Sequence, residues 1–242
     1  MKVTLLAYTP SPADVAEIGA KTCYSASAPS DIIPTEAKKA LKRAISSGHG
    51  SVLEHAVFTF GIEGISRACS HQLVRHRVAS FSQQSQRYVA MDEAGLKSSF
   101  VLPDSFRRAF DDEGQNGIDE GEYFEDLVSN YFLELEDIVR RARELGIPEE
   151  DIRYLYPNGL TTNIVMTMNA RELLHFFSLR CCTRAQWEIR KLADSMLAIC
   201  KEVCPEIFEN AGASCKQLGY CPEVESCGKM KTLNQIIALE KK

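Results

Sequence analysis

No apolar run in this sequence approaches the ~20 residues that a membrane-spanning helix requires. The opening Met1–Tyr8 is too short and too interrupted to read as a secretory leader. Internal repeats, low-complexity tracts and a dividing linker are all missing. So is an excess of positive charge: 28 Lys and Arg face 33 Asp and Glu, a formal net of -5. That balance speaks against a general nucleic-acid binder, which needs a basic surface to neutralise phosphates, while leaving room for a local basic pocket for one nucleotide. A glycine-rich dinucleotide fingerprint is absent too, so a plain nucleotide-binding flavoprotein oxidoreductase finds little independent support. These absences describe a soluble, cytoplasmic protein with neither nucleic acid nor membrane as partner.

Cysteine, by contrast, is plentiful. There are nine, an odd number without a secretory signal, which disfavours a disulfide framework. Cys69 and Cys200 fall on apolar helical faces and read as small core residues. Cys204, Cys215, Cys221 and Cys227 crowd the tail, and four thiolates could in principle complete a tetrahedral zinc site. Their spacings contain no tight pair of the usual zinc knuckle, so reduced thiols are the better reading and no metal is assigned.

Hydrophobic residues make up 45% of the chain, enough for a substantial core. Lys2–Tyr8 alternates as a strand, and a helix opened by Pro12 runs towards Tyr24. A second helix is expected over Thr35–Ser47, stopping at Gly48, and a strand over His55–Glu63, after which a helix carries the chain to Arg75. The longest amphipathic pattern runs from Phe124 through Leu127, Tyr131, Leu135, Ile138 and Ala142 to Leu145, as core or a helix–helix interface. Gly146 ends it, a short helix starts near Pro148, and two more helices are expected at about 170–179 and 184–203. Short strands ahead of long helices give the fold class α+β, read as a single domain over 1–242 with a cysteine-containing tail from about 204.

The most informative segment is Arg75-His76-Arg77-Val78-Ala79-Ser80-Phe81-Ser82-Gln83-Gln84-Ser85-Gln86-Arg87-Tyr88. Cations at a helix end are stabilised by the macrodipole, which is a bland account of Arg75-His76-Arg77 alone. If 83–88 are extended, however, Gln83, Ser85 and Arg87 share one side and offer an amide, a hydroxyl and a guanidinium in a row. Such a row suits a phosphate and a planar base. The Arg-His-Arg, seven residues, then Ser85 followed by Gln86-Arg87-Tyr88 resembles the signature of flavin-dependent thymidylate synthases. Gly48-His49-Gly50-Ser51-Val52-Leu53-Glu54-His55 with Phe58-Thr59-Phe60 upstream is similar to that family's histidine-rich turn entering a strand. Asn169-Ala170-Arg171, Leu179-Arg180 and Ala185-Gln186-Trp187-Glu188 resemble its C-terminal helical pair, and Arg153 falls in step. The likeness covers most of 20–210 and is weakest over 105–125.

The resemblance implies an α+β fold with a mostly antiparallel sheet packed against long helices, assembled as a homotetramer whose active sites draw on several subunits. It implies methylation of dUMP to dTMP with FAD as cofactor and with methylenetetrahydrofolate and NADPH as co-substrates, and no enzyme nucleophile on the uracil ring. Residue by residue it places Gln72, Arg75, Gln83, Ser85, Gln86, Arg87, Arg153 and Arg180 around dUMP. It places His49, Ser51, Glu54, His76, Arg77, Asn169, Arg171 and His175 around FAD. Arg180 and Ser85 are the catalytic candidates. Arg180 would stabilise negative charge developing on the ring, and Ser85, with no base evident beside it, would position substrate by a hydrogen bond. Two departures stand out: some relatives carry an acidic residue at Gln83, and some a histidine at Arg184. The competing non-enzymatic reading, a nucleic-acid-binding regulator using Arg75, Arg77 and Arg87, is opposed by the acidic net charge.

Overall fold

The computed structural model describes residues 1–89, 95–111 and 120–240. The chain is α+β. In order it forms β1 (Lys2–Tyr8), α1 (Pro12–Thr22), α2 (Lys39–Ser46), β2 (Val57–Ser66), α3 (Arg67–Leu73), β3 (Ala79–Gln83), α4 (Asp104–Phe110) and α5 (Glu120–Glu144). There follow α6 (Glu149–Ile152), β4 (Thr161–Asn169), α7 (Ala170–Arg180), α8 (Trp187–Val203) and three short C-terminal helices. The four strands form one sheet in the order β1-β2-β4-β3. Its antiparallel sense shows in the pairings. Thr59 meets Thr167 through their hydroxyls, and four places earlier along β4 the sum of partner numbers barely changes, with Gly64 N–H donating to Asn163 Oδ1.

β2 and β4 are built by alternation. Phe58, Phe60 and Ile62 are buried from β2, and Thr162, Ile164, Met166 and Met168 from β4, every second residue in each case. Cα-level packing divides the chain into two compact units, 1–62 with 72–82 and 165–242, and 63–71 with 83–164. In the first, Phe58, Phe177 and Phe208 pack edge to face, and α8 contributes Ile189, Leu192, Ala193, Met196 and Cys200 at helical spacing. In the second, Phe132, Leu135, Val139 and Ala142 of α5 form a core with Leu96, Ile152, Tyr156 and Leu160.

Glycine is required at position 159. A Cβ built there would lie 2.1 Å from the Phe100 ring, which in turn packs edge to face on Phe132.

Most expected elements appear within a few residues of their anticipated limits. α2 starts later than Thr35, because Thr35 serves another purpose: its N–H and hydroxyl both donate to the buried carboxylate of Glu17 on α1. Cys69 and Cys200 are buried, as their positions in the pattern suggested. β3 and β4 were not anticipated. Half of the α5 stripe also faces outward: Leu127 is 49% exposed and Ile138 50%.

Candidate functional site

Each unit presents its own set of the expected residues. In the first, α7 is started by Asn169, whose Oδ1 accepts the N–H of Glu172 at 2.9 Å. From that helix Glu172, His175 and Arg180 project on turns one apart, towards the end of α3. There His76 is buried, its ring edge-on to Phe176 and to His175. Its Nδ1 lies 3.1 Å from Glu172 Oε1, and its Nε2 accepts from Arg180 Nε, also at 3.1 Å. An acceptor at Nε2 places the imidazole proton on Nδ1, pointing at the carboxylate. Burial pushes the His76 pKa below its ordinary value; Glu172 pulls it up and Arg180 lowers it further. The ring is therefore a neutral wedge that grips Arg180 by Nε alone, leaving the two terminal nitrogens of a planar, permanently charged group to face a ligand.

His76, Glu172 and His175 are also the one group of possible metal ligands that converges among the described residues. Both ring nitrogens of His76 are already engaged, so its donor set has no spare lone pair there. Cys204, Cys215, Cys221 and Cys227 form no such convergent group in the described residues. Burial instead raises Cys204 to about 12.

Elsewhere in this unit Glu54 and Arg171 form an exposed ion pair at 2.6 Å. His49 and Ser51 line a cavity of about 750 Å³ with Lys21, Tyr24 and Arg43. Arg180 lines a second, about 530 Å³, together with Cys181, Cys182, Cys215 and Cys227. Gln72, Arg75 and Arg77 lie at the end of α3 and just past it, with both arginines exposed. The set expected around a flavin thus divides in two. His49, Ser51, Glu54, Arg77, Arg171 and His175 are exposed and available to a ligand. His76 and the Asn169 carbonyl oxygen are spent on protein partners, so their contribution is to hold α7 and Arg180 in place. Exposed arginine, histidine and serine donors of this kind suit an anionic, pyrophosphate-bearing cofactor, with Arg171 exchanging Glu54 for it.

The second unit carries Gln83, Ser85, Gln86, Arg87 and Arg153. Here the extended row expected over 83–88 does not form. β3 ends at Gln83, and Ser85 opens a turn: its carbonyl accepts from the N–H groups of Tyr88 and Val89, and its Oγ from the Arg87 N–H at 3.2 Å. A serine that bonds its own backbone two residues on favours a turn over a strand, which is why the alternation fails. Gln83 is turned inward, its amide donating to Ser70 Oγ at 2.9 Å and to Thr162 Oγ1 at 3.3 Å. Arg87 pairs with Glu150 at 3.2 Å, and Arg153 Nε donates to the Glu150 carbonyl. Gln86 and Arg153 line one cavity. Among the described residues Ser85 finds its recorded hydrogen-bond partners within its own turn.

Sequence reasoning passed over Glu172, the carboxylate behind His76. Its signal was present as the fourth residue after Asn169-Ala170-Arg171 began, two turns before Arg180, but only the packing of α7 on His76 gives it a task.

Each unit of this α+β chain thus offers side chains suited to anionic, hydrogen-bonding ligands: arginines with imidazoles in the first, arginines with amides in the second. The family model described as "Thymidylate synthase complementing protein" matches residues 4–206, and the chain belongs to that family. The flavin-dependent thymidylate synthase of Geobacter sulfurreducens is 44% identical over 241 residues, covering 98% of this chain and 97% of its own. That of Nitratidesulfovibrio vulgaris is 42% identical over 240 residues, covering 94% of both chains. Among solved structures, the flavin-dependent thymidylate synthase of Helicobacter pylori, complexed with FAD and dUMP, superposes with a TM-score of 0.64. It is 25% identical and covers 88% of this chain and 100% of its own. No helix of the described residues is long and apolar enough to cross a membrane.

Proposed function

We infer that this protein is a flavin-dependent thymidylate synthase, converting dUMP to dTMP with FAD as cofactor and with methylenetetrahydrofolate and NADPH as co-substrates. The observation that carries the reading is the Arg180–His76–Glu172 chain, on which the Arg-His-Arg signature and the C-terminal helix meet in one unit. When bound, the flavin supplies hydride and passes on the one-carbon unit. The chain's own residues do the rest. Arg180, held at Nε by a neutral imidazole, presents its remaining donors to the uracil edge, where negative charge develops in the reaction. Pinning one nitrogen removes rotamer freedom before substrate arrives, so less ordering is left to the reaction step. Ser85, Gln86, Arg87 and Arg153 take the nucleotide, with Gln72, Arg75 and Gln83 completing its surroundings. Arg87 must exchange Glu150 for the ligand to do so. His49, Ser51, Glu54, Arg77, Arg171 and His175 hold the flavin, supported by His76 and Asn169. No side chain attacks the ring: Ser85 Oγ accepts the Arg87 N–H and has no base to activate it among the described residues, and its hydroxyl proton is left to bond the nucleotide.

The active enzyme is a homotetramer in the cytoplasm, with sites shared between subunits. The outward half of the α5 stripe supports this: Leu127, Tyr131 and Ile138 lie on one helical face and are exposed. Anaerobic reduction of the purified flavoprotein, followed by dUMP and methylenetetrahydrofolate, is the test. Flavin reoxidation coupled to dTMP formation is expected; a bound flavin indifferent to both substrates would move the function to a plain oxidoreductase.

A further inference from the structure

Glu172 stands at the third position of α7, where a glutamate ordinarily turns back to cap its own helix. One half of that exchange is present: Asn169 Oδ1 accepts the Glu172 N–H at 2.9 Å. The carboxylate, however, leaves its own helix for His76, with Oε1 3.1 Å from Nδ1. Its side chain is only 12% exposed, and the dipole of α7 favours an anion in this first turn. A nearly dry carboxylate is thus spent on one neutral ring.

That ring has two nitrogens and, when neutral, one proton. Arg180 can only donate, so the Nε2 that faces its Nε has to be bare. The arrangement needs an acceptor opposite Nδ1, and Glu172 is that acceptor. With the proton on Nε2 instead, two N–H donors would face each other and the hold on Arg180 would be lost. Glu172 does not reach Arg180 directly, since eight residues of α7 separate them, about 12 Å of helix rise. Its influence passes through the imidazole. Burial, Arg180 and His175 all oppose a charge on His76, and Glu172 favours one. Burial is the largest of these, so the ring stays neutral and the carboxylate selects its tautomer.

We propose that Glu172 is a positioning residue for dTMP formation: by holding the His76 proton on Nδ1, it makes Nε2 the acceptor that aims Arg180 at the uracil ring. This rests on the thymidylate synthase reading. Without the carboxylate the ring is free to turn over or to move its proton. Arg180 then keeps its charge and loses its direction. A donor contributes most to a reaction when it is fixed before the charge develops, so the rate falls although the guanidinium is still there.

The test is a double-mutant cycle in the full-length, FAD-loaded enzyme, read by single-turnover dTMP formation. Glu172→Ala alone is expected to slow that step about tenfold or more, with the bound-flavin visible spectrum unchanged. In the Arg180→Ala background the same change should alter the rate by less than about twofold, because the group it positions is gone. Glu172→Gln, whose amide oxygen can still accept from Nδ1, should recover part of the lost rate. Equal slowing in both backgrounds, or loss of flavin from Glu172→Ala, would make Glu172 a structural residue and overturn the proposal. An unchanged rate in Glu172→Ala would overturn it too. Nitrogen NMR of histidine-labelled protein reads the tautomer independently of turnover. The chain has five histidines, and the signals of His76 are those lost in His76→Gln. The wild type should carry the proton on Nδ1, and Glu172→Ala should show the Nε2–H form; a variant holding Nδ1–H alone would count against Glu172. Should Glu172→Ala fail to fold, the cycle is run with Glu172→Gln, whose smaller loss should vanish in the same way. A wild-type protein that forms no dTMP would overturn the thymidylate synthase reading and this proposal together. One that forms dTMP equally well with and without the carboxylate would overturn this proposal alone.

Discussion

Arg180 Nε donates to His76 Nε2 at 3.1 Å, so that the residue best suited to face the uracil ring is held by the central residue of the Arg-His-Arg signature. Substitution Arg180→Ala should leave flavin binding intact, since Glu172 still holds the His76 ring at Nδ1. It should reduce dTMP formation by about a hundredfold or more, the usual loss for a preorganised electrostatic donor. Visible spectra and single-turnover dTMP assays check both halves; wild-type turnover would remove Arg180 from the chemistry.

His76 makes the stability of the protein depend on mild acid. Its folded pKa is depressed from the ordinary 6.5 mainly by burial. The unfolded chain therefore binds a proton that the folded protein refuses. The stabilisation is complete above about pH 6.5 and is lost as pH falls through that value towards the depressed folded pKa, with a limiting slope near 1.4 kcal/mol per pH unit for one proton. Thermal unfolding between pH 7.5 and 5 should show this decline, and His76→Gln should flatten it. An identical pH profile in the variant would assign the decline to other groups.

Glu17 on α1 is fully buried and holds the following segment together. It accepts from Thr35 N–H at 3.1 Å and Thr35 Oγ1 at 2.8 Å, with Lys38 3.9 Å and Lys21 3.7 Å away. Lys38 also pairs with Asp14, and its ammonium pKa is raised, chiefly by that hydrogen bond. Glu17→Ala leaves these donors without their acceptor and should cost about 3 kcal/mol, or roughly 6–12 °C in Tm. Calorimetry of the two proteins gives the answer; a shift under 2 °C would mean that water replaces the carboxylate at little cost.

The cysteines should react in a definite order. Cys227 is exposed and its pKa is lowered, first by the nearby Thr183 side chain and then by the Lys229 backbone. Burial raises Cys181 and Cys204 to about 12. Brief alkylation at neutral pH followed by peptide mass mapping should find Cys227 modified first, because the thiolate is the nucleophile. Prior labelling of Cys181 or Cys204 in the folded protein would contradict this order.

Much of this protein could be read from its residues. The period of α1, α5, α7 and α8, the alternation of β1 and β2, and the stops at Gly48 and Gly146 are local properties, and they placed those elements closely. The Arg-His-Arg and Ser85 spacing carried the family. β4 escaped notice, although Thr162, Ile164, Met166 and Met168 alternate into the core, because methionine and threonine mix poorly separated apolar and polar signals. The row expected over Gln83–Tyr88 failed for a related reason. Whether a serine extends or folds back on its own backbone depends on whether a neighbouring strand claims the chain, and here β3 ends at Gln83 and the Gln84 N–H makes the last backbone bond to β4, at Asn163 O, before Ser85 turns.

By itself, then, the sequence determined the class of fold, the run of helices, and the chemical types proposed for a nucleotide and a flavin, because propensity and spacing act over a few residues. Only the tertiary structure decided which of those groups are free. It buried His76 and fixed its proton, set Glu172 behind it and Arg180 before it, and turned Gln83 inward. Burial and the nearness of a second charge are set by chain segments up to a hundred residues apart, and these decide protonation and availability at each position.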